Sequence, residues 1–217
     1  MNCAPRLGVF AKQPLPGAVK TRLCPPLSAA SAAAFYEQCL HETLERMRAA
    51  GIPLVVFYAG EADYFRRAFP GVALCPQRGE GLGARIRNAF DHLFGLDASP
   101  CALIGSDSPD LPPSLVRQAL ERLAGLDALS IPAGDGGYVL IGLKNRCPSL
   151  FETIPWSTPG VLEATRSRAA KLGIAHRELA CWEDVDDIAG LRALVRRSPE
   201  GPSSRFALEH LGDLLNL

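Results

Sequence analysis

Two patterns of apolar positions alternate along the chain. Short apolar-rich segments occupy 7–10, 52–58, 72–75, 101–104, 126–132, 139–143 and 174–179. Between them run stretches whose apolar residues recur every three or four positions: 28–50, 60–69, 85–94, 113–124, 159–172 and 188–195. The first kind predicts strands and the second amphipathic helices. The longest helix carries Phe35, Cys39, Leu40, Leu44 and Met47 on one face, with Ser28 or Ser31 as its cap and Gly51 as its end. His41 on that helix reads as a surface or packing residue. A linker-like stretch at 198–204 precedes a terminal helix over 206–215. Strand and helix alternate throughout, so an α/β fold is expected, with one mixed, mostly parallel sheet covered by helices. The expected organisation is a single domain over 1–217, closed by the linker and helix of 198–217.

Composition narrows the classes of function. Lys plus Arg and Asp plus Glu each number 23 in 217 residues, a formal net charge of zero. That argues against a broad basic surface for nucleic acid. No apolar run is long enough to span a bilayer, so no membrane partner is expected. The apolar stretch at 7–11 is too short for a secretory signal, which makes the cytoplasm the expected location. Seven cysteines are scattered without a Cys-x-x-Cys pair, neither a disulfide framework nor a zinc site. Cys39 and Cys101 fall in apolar patterns and read as small buried hydrophobes.

The chemistry concentrates at the ends of predicted strands. Cys101-Ala102-Leu103-Ile104 runs into Gly105-Ser106-Asp107-Ser108-Pro109-Asp110. Ligands of open α/β sheets bind beyond the carboxyl ends of the strands, which places Asp107 at a functional position. Carboxylates suit Mg²⁺ or Mn²⁺ carrying substrate phosphates. Asp110 is either a second ligand or the cap of the helix after Pro112. The first strand leads into a loop holding Lys12, Gly17, Lys20 and Arg22. This loop is neither a Walker nor a Rossmann phosphate loop, but its cations and free N–H groups suit phosphate. Gln77 could hydrogen-bond a base or sugar. Gly79, Gly81 and Gly83 lead into a helix at Arg85, whose charge opposes the helix dipole and hints at an anionic partner. Asp135-Gly136-Gly137 reads as a hairpin turn that leaves Asp135 and Tyr138 at a strand end. Thr158 is expected to cap a helix beginning at Pro159. Trp156 is core or pocket wall. The acids of Trp182-Glu183-Asp184-Val185-Asp186-Asp187 either open the next helix or bring a second metal carboxylate opposite Asp107.

Taken in order, Phe10-Ala11-Lys12-Gln13-Pro14-Leu15-Pro16-Gly17-Ala18-Val19-Lys20-Thr21-Arg22-Leu23, Gly105-Ser106-Asp107-Ser108-Pro109-Asp110-Leu111, Pro132-Ala133-Gly134-Asp135-Gly136-Gly137-Tyr138-Val139-Leu140-Ile141-Gly142 and Asp184-Val185-Asp186 resemble one family. It is the small bacterial GT-A-type, glycosyltransferase-like family once carried as domain of unknown function 2064, associated with radical-SAM or arsenosugar gene neighbourhoods. The resemblance implies the three-layer αβα GT-A (Rossmann-like) fold of the nucleotide-diphospho-sugar transferase superfamily. It implies Mg²⁺ or Mn²⁺ at Asp107 and Asp186, with Asp184 beside them. It puts Gly17, Lys20 and Arg22 in a nucleotide-phosphate loop with Lys12 behind, and Gly81, Gly83 and Arg85 where base or ribose is held. Gly136, Gly137, Tyr138, Trp156 and Ser157 match family positions on the substrate side. The implied activity is glycosyl transfer from a nucleoside-diphosphate sugar to a small-molecule acceptor. Asp107 and Lys20 would act on the leaving phosphate, and Asp135 on the acceptor hydroxyl. Lys20-Thr21-Arg22-Leu23 is also similar to a segment of phospholactate guanylyltransferases. That similarity keeps open a nucleotidyltransferase taking an NTP and a phosphorylated acceptor. A non-catalytic nucleotide-binding partner is the third reading. The terminal helix could pack in cis or across a homodimer.

Overall fold

The computed structural model describes residues 4–215. Cys3, the rest of the chain start and residues 216–217 of the expected terminal segment lie outside the described residues. Seven strands form one sheet: β1 (Arg6–Lys12), β2 (Leu54–Ala59), β3 (Ala73–Pro76), β4 (Cys101–Ile104), β5 (Ala128–Pro132), β6 (Tyr138–Leu143) and β7 (His176–Glu178). Their spatial order is β3-β2-β1-β4-β6-β5-β7. All pairings are parallel except those of β6, which runs antiparallel to both neighbours. The sheet is therefore mixed and mostly parallel, as the alternation predicts.

Helices α1 (Ala29–Ala49), α2 (Ala62–Ala68), α3 (Gly81–Phe94), α4 (Pro113–Arg122) and α5 (Val161–Lys171) cover the two faces. Strand periodicity sorts the side chains between them. Ala102 and Ile104 enter the core with Tyr36, Leu40 and Leu44 of α1 and Val116 of α4. Cys101 and Leu103 enter the opposite core with Ile86, Phe90 and Leu93 of α3. Each buried Leu or Phe contributes roughly 1.5–3 kcal/mol. A third core joins α1 to α6 (Ile188–Arg197) and α7 (Pro202–Leu215) through Phe35, Cys39, Leu191, Leu194, Ala207 and Leu211. Ser28 caps α1, its side chain accepting from the Ser31 N–H at 3.0 Å.

Several boundaries differ from the sequence expectation. Helix α3 begins at Gly81 rather than Arg85, because first-turn N–H groups need no helical partner and glycine costs little there. Arg85 therefore lies in the second turn, where the expected clash with the dipole is weak. Helix α5 begins at Val161, two residues after Pro159. Thr158 is no cap for it: its hydroxyl donates to Pro155 O at 2.7 Å and accepts from the Gly160 N–H at 3.2 Å. Strand β7 is three residues long, and the acids of 183–186 precede α6 rather than open it. Only Asp187 caps α6, accepting from the Gly190 N–H at 2.8 Å. The linker-like 198–204 is no loose linker. Pro202 starts α7, Ser203 and Ser204 are fully buried, and the Ser203 N–H donates to Glu42 at 2.9 Å. Proline in a first helical turn is a start signal that composition alone conceals.

Candidate active site

The carboxyl ends of β1, β4, β5 and β7 and the start of β6 meet at one edge of the sheet. A cavity of about 800 Å³ opens there. That is a size suited to a small-molecule ligand.

Asp107 follows β4 through Gly105 and Ser106. Tyr36 fixes that turn from below. Its hydroxyl shares a 2.8 Å hydrogen bond with Ser106 Oγ and accepts from the Lys12 N–H at 2.9 Å. One phenol thus ties the end of β1 to the acidic turn. Burial first, then Asp107, pushes it up to about 12, so it stays a phenol. Nothing in the sequence around Tyr36 signals this role.

The second acidic segment comes from the far side of the sheet. Beyond β7 the chain continues along β5, with the Leu179 N–H on Ser130 O at 3.0 Å and the Trp182 N–H on Pro132 O at 3.0 Å. Val185 is fully buried in the third core. Its N–H donates to Asp107 O at 2.8 Å. The two residues that flank Val185 are Asp184 and Asp186, and both line the cavity. Asp135, from the hairpin between β5 and β6, joins them: one carboxylate oxygen of each of Asp135, Asp184 and Asp186 lies within 4.8 Å of the others. Burial, then Asp186, Asp135 and Asp107, raises Asp184 to about 6.

Lys20 enters this acid cluster. Its side chain is 3% exposed and its ammonium pairs with Asp107, lies 3.5 Å from Asp186 and donates to Val185 O at 2.6 Å. Burial alone would lower it; Asp107, with Cys39 and Asp186, outweighs that and holds it above the ordinary lysine value. Its backbone is left-handed at φ 50°, a conformation uncommon outside glycine and costly to hold. Arg22 is 73% exposed and reaches Asp186 at 3.3 Å. Lys20 and Arg22 of the expected phosphate loop therefore face carboxylates.

The remaining expected positions divide. Lys12, Gln77, Gly81, Arg85, Gly137, Tyr138 and Trp156 line the cavity. Gln77 spends both amide protons on Ala11 O and Phe57 O, at 3.2 and 2.9 Å, and offers a ligand only its carbonyl oxygen. Gly17, Gly83 and Gly136 stand outside the cavity lining. A Cβ on Gly83 would come within 2.2 Å of Trp156 Nε1, so this glycine seats the indole. Gly136 has φ +89°, and a Cβ there would meet Pro159 O at 2.1 Å. Both glycines leave room for a close neighbour, Trp156 at Gly83 and Pro159 at Gly136. Asp110 is not the expected cap of α4. It is 3% exposed and held by Arg197, while Pro112 stands at the start of α4 without a side-chain cap.

The chain matches the model of a family described as uncharacterized protein conserved in bacteria (DUF2064) over residues 43–158. It is 30% identical to a protein of Desulfovibrio desulfuricans G20 whose assignment as a nucleotide-diphospho-sugar transferase is provisional. That match covers 99% of this chain and 97% of the other, with a TM-score of 0.93. Rv0371c of Mycobacterium tuberculosis H37Rv, solved with manganese, is 19% identical over 90% of this chain and 100% of its own, at a TM-score of 0.57. A cytidylyltransferase of Leptospira borgpetersenii serovar Hardjo-bovis is 14% identical over 99% and 97%, at 0.56. At those identities the last two likenesses are of fold alone. None of the curated proteins compared with the chain matches it. The chain belongs to the DUF2064 family and carries the α/β fold shared by nucleotide-diphospho-sugar transferases and nucleotidyltransferases.

Proposed function

We propose that the chain is a metal-dependent transferase acting on a nucleotide-activated donor, with glycosyl transfer from a nucleoside-diphosphate sugar to a small-molecule hydroxyl as its reaction. The observation that carries this reading is the convergence of Asp107, Asp135, Asp184 and Asp186 on one cavity at the carboxyl edge of the sheet. The donor set is all oxygen, which suits Mg²⁺ or Mn²⁺. Asp184, raised by burial and then by the carboxylates around it, marks a crowded acidic site, and the Lys20 ammonium already stands among those carboxylates as a cation would. Asp184, Asp186 and Asp107 would hold the ion, with Asp135 beside them. When bound, such an ion offsets charge on the diphosphate.

The chain's own groups supply the rest. The acceptor oxygen attacks the anomeric carbon, the bond from that carbon to the diphosphate breaks, and the acceptor proton passes to a carboxylate. Asp135 is exposed at the cavity, and its Oδ1 accepts from the Gly137 N–H at 2.8 Å, which orients the other oxygen. Arg22, Lys12 and Arg85 supply positive charge around the leaving group. Trp156 gives a flat wall for a base or sugar.

A second reading, nucleotidyl transfer from an NTP with loss of pyrophosphate, is favoured by one observation. The acids that would hold the ion come from two distant segments, Asp107 from the turn after β4 and Asp184 and Asp186 from the stretch after β7, with Asp110 turned away.

The test is a panel of nucleoside triphosphates, diphosphates and nucleotide sugars with Mn²⁺ or Mg²⁺, read by thermal shift and then by product. Selective, metal-dependent stabilisation by a nucleotide sugar and release of nucleoside diphosphate support glycosyl transfer. Stabilisation by a triphosphate and release of pyrophosphate replace it with the second reading. Indifference to every nucleotide defeats both.

A further inference from the structure

The proposed centre leaves the buried carboxylate of Asp110 unused. Asp110, three residues after Asp107, is gripped by the guanidinium of Arg197 through two hydrogen bonds, Nε to Oδ2 and Nη2 to Oδ1, the latter 3.0 Å. Trp182 Nε1 donates to Oδ1 at 3.4 Å. The same guanidinium donates to Glu183 twice, from Nη1 to Oε2 at 3.0 Å and from Nη2 to the backbone oxygen at 3.1 Å. It also lies 5.7 Å from the centre of the Trp182 ring. One side chain at the end of α6 thus joins the turn after β4 to the segment after β7. Those are the two stretches that carry Asp107 and Asp184–Asp186. They meet again where the Val185 N–H donates to Asp107 O.

We infer that Asp110 and Arg197 are a positioning pair that sets the spacing of Asp107 against Asp184 and Asp186, and so the affinity of the site for a divalent cation. The inference rests on the metal-dependent reading above. Stability alone is a poor reason for this pair. Desolvating two charges offsets much of their attraction, and well-packed apolar residues often do as well. What an apolar contact lacks is direction. A planar guanidinium engaged at both oxygens fixes angle as well as distance. Residues that orient metal ligands from behind have effects of about 10–100-fold on metal affinity.

The experiment is Mn²⁺ titration of the full chain, free ion read by electron paramagnetic resonance, well below the unfolding transition of every protein compared. Arg197→Lys keeps the charge and loses the fork. The double variant Asp110→Asn with Arg197→Gln keeps a hydrogen-bonded pair and orphans no buried charge, Glu183 being exposed, which guards against simple failure to fold. Both are expected to weaken Mn²⁺ binding at least about tenfold. The double variant is expected to do so with little change in metal-free thermal midpoint, a split that a purely structural pair would not give. Parental Mn²⁺ affinity in both variants overturns the inference while leaving the metal reading intact. Absence of Mn²⁺ binding by the parent chain overturns the metal reading and the inference together.

Discussion

A carboxylate whose folded value lies above its ordinary one is a standing cost wherever it ionises. Asp184 rises from 3.8 to about 6 because it is partly buried beside Asp186, Asp135 and Asp107. The folded state therefore binds that proton more tightly than the unfolded state. The stability the proton contributes is complete below about pH 4 and is lost as pH rises through about 6. Asp184→Asn, which cannot ionise, is expected to be more stable than the parent at pH 7.5 without metal and equal to it near pH 4. Denaturant midpoints at the two pH values check this, and a constant difference would refute the origin given for the shift. Lys20 works in the opposite sense. Lys20→Met removes the ammonium from Asp107, Asp186 and Val185 O, and is expected to lower metal-free stability by about 1–3 kcal/mol. Saturating Mn²⁺ should narrow that loss, because a cation returns to the same carboxylates. Gly136→Ala forces a Cβ against Pro159 O at positive φ. It should cost about 2 kcal/mol or more, read as a lower thermal midpoint.

Among elements, the segment between β7 and α6 brings Asp184 and Asp186 to the site without regular structure of its own. Its anchors include backbone bonds to β5, Val185 in the third core, and Arg197 at the end of α6. Val185→Ala leaves a cavity under both acids. It is expected to cost about 1–3 kcal/mol and to weaken Mn²⁺ binding although no ligand is changed, which denaturation and metal titration together would measure. If stability fell while Mn²⁺ affinity held, the segment would be positioned by its other anchors alone. The hairpin between β5 and β6 docks the start of α5 in the same way, through the Leu162 N–H on Gly136 O at 2.9 Å.

At the scale of the molecule, one sheet edge gathers residues from 12 to 186, and a cation bound there stabilises only the folded chain. An excess of Mn²⁺ a hundredfold above its dissociation constant should add about 2.7 kcal/mol, seen as a rise in thermal midpoint that a chelator reverses. Both tryptophans report on this region: Trp156 lines the cavity and Trp182 stacks near Arg197. Among the described residues, no helix is long and apolar enough to cross a membrane.

The sequence by itself determined the alternation of strand and helix, the mixed sheet and the place of Asp107 beyond a central strand. These follow from side-chain periodicity and from turn residues, both local in the chain. The resemblance carried by its motifs added Asp184 and Asp186. Partners distant in sequence were a matter for the tertiary structure. Nothing local says that Lys20 faces carboxylates 87 and 166 residues further on, that Tyr36 turns its hydroxyl to Ser106, or that Asp110 belongs to Arg197. Asp110 and Asp107 share a turn and a residue type, and only burial separates them. One side chain ends in the cavity and the other beneath it, because packing of α6 and α7 against α1 decides where the second acidic segment lies and which carboxylate it covers.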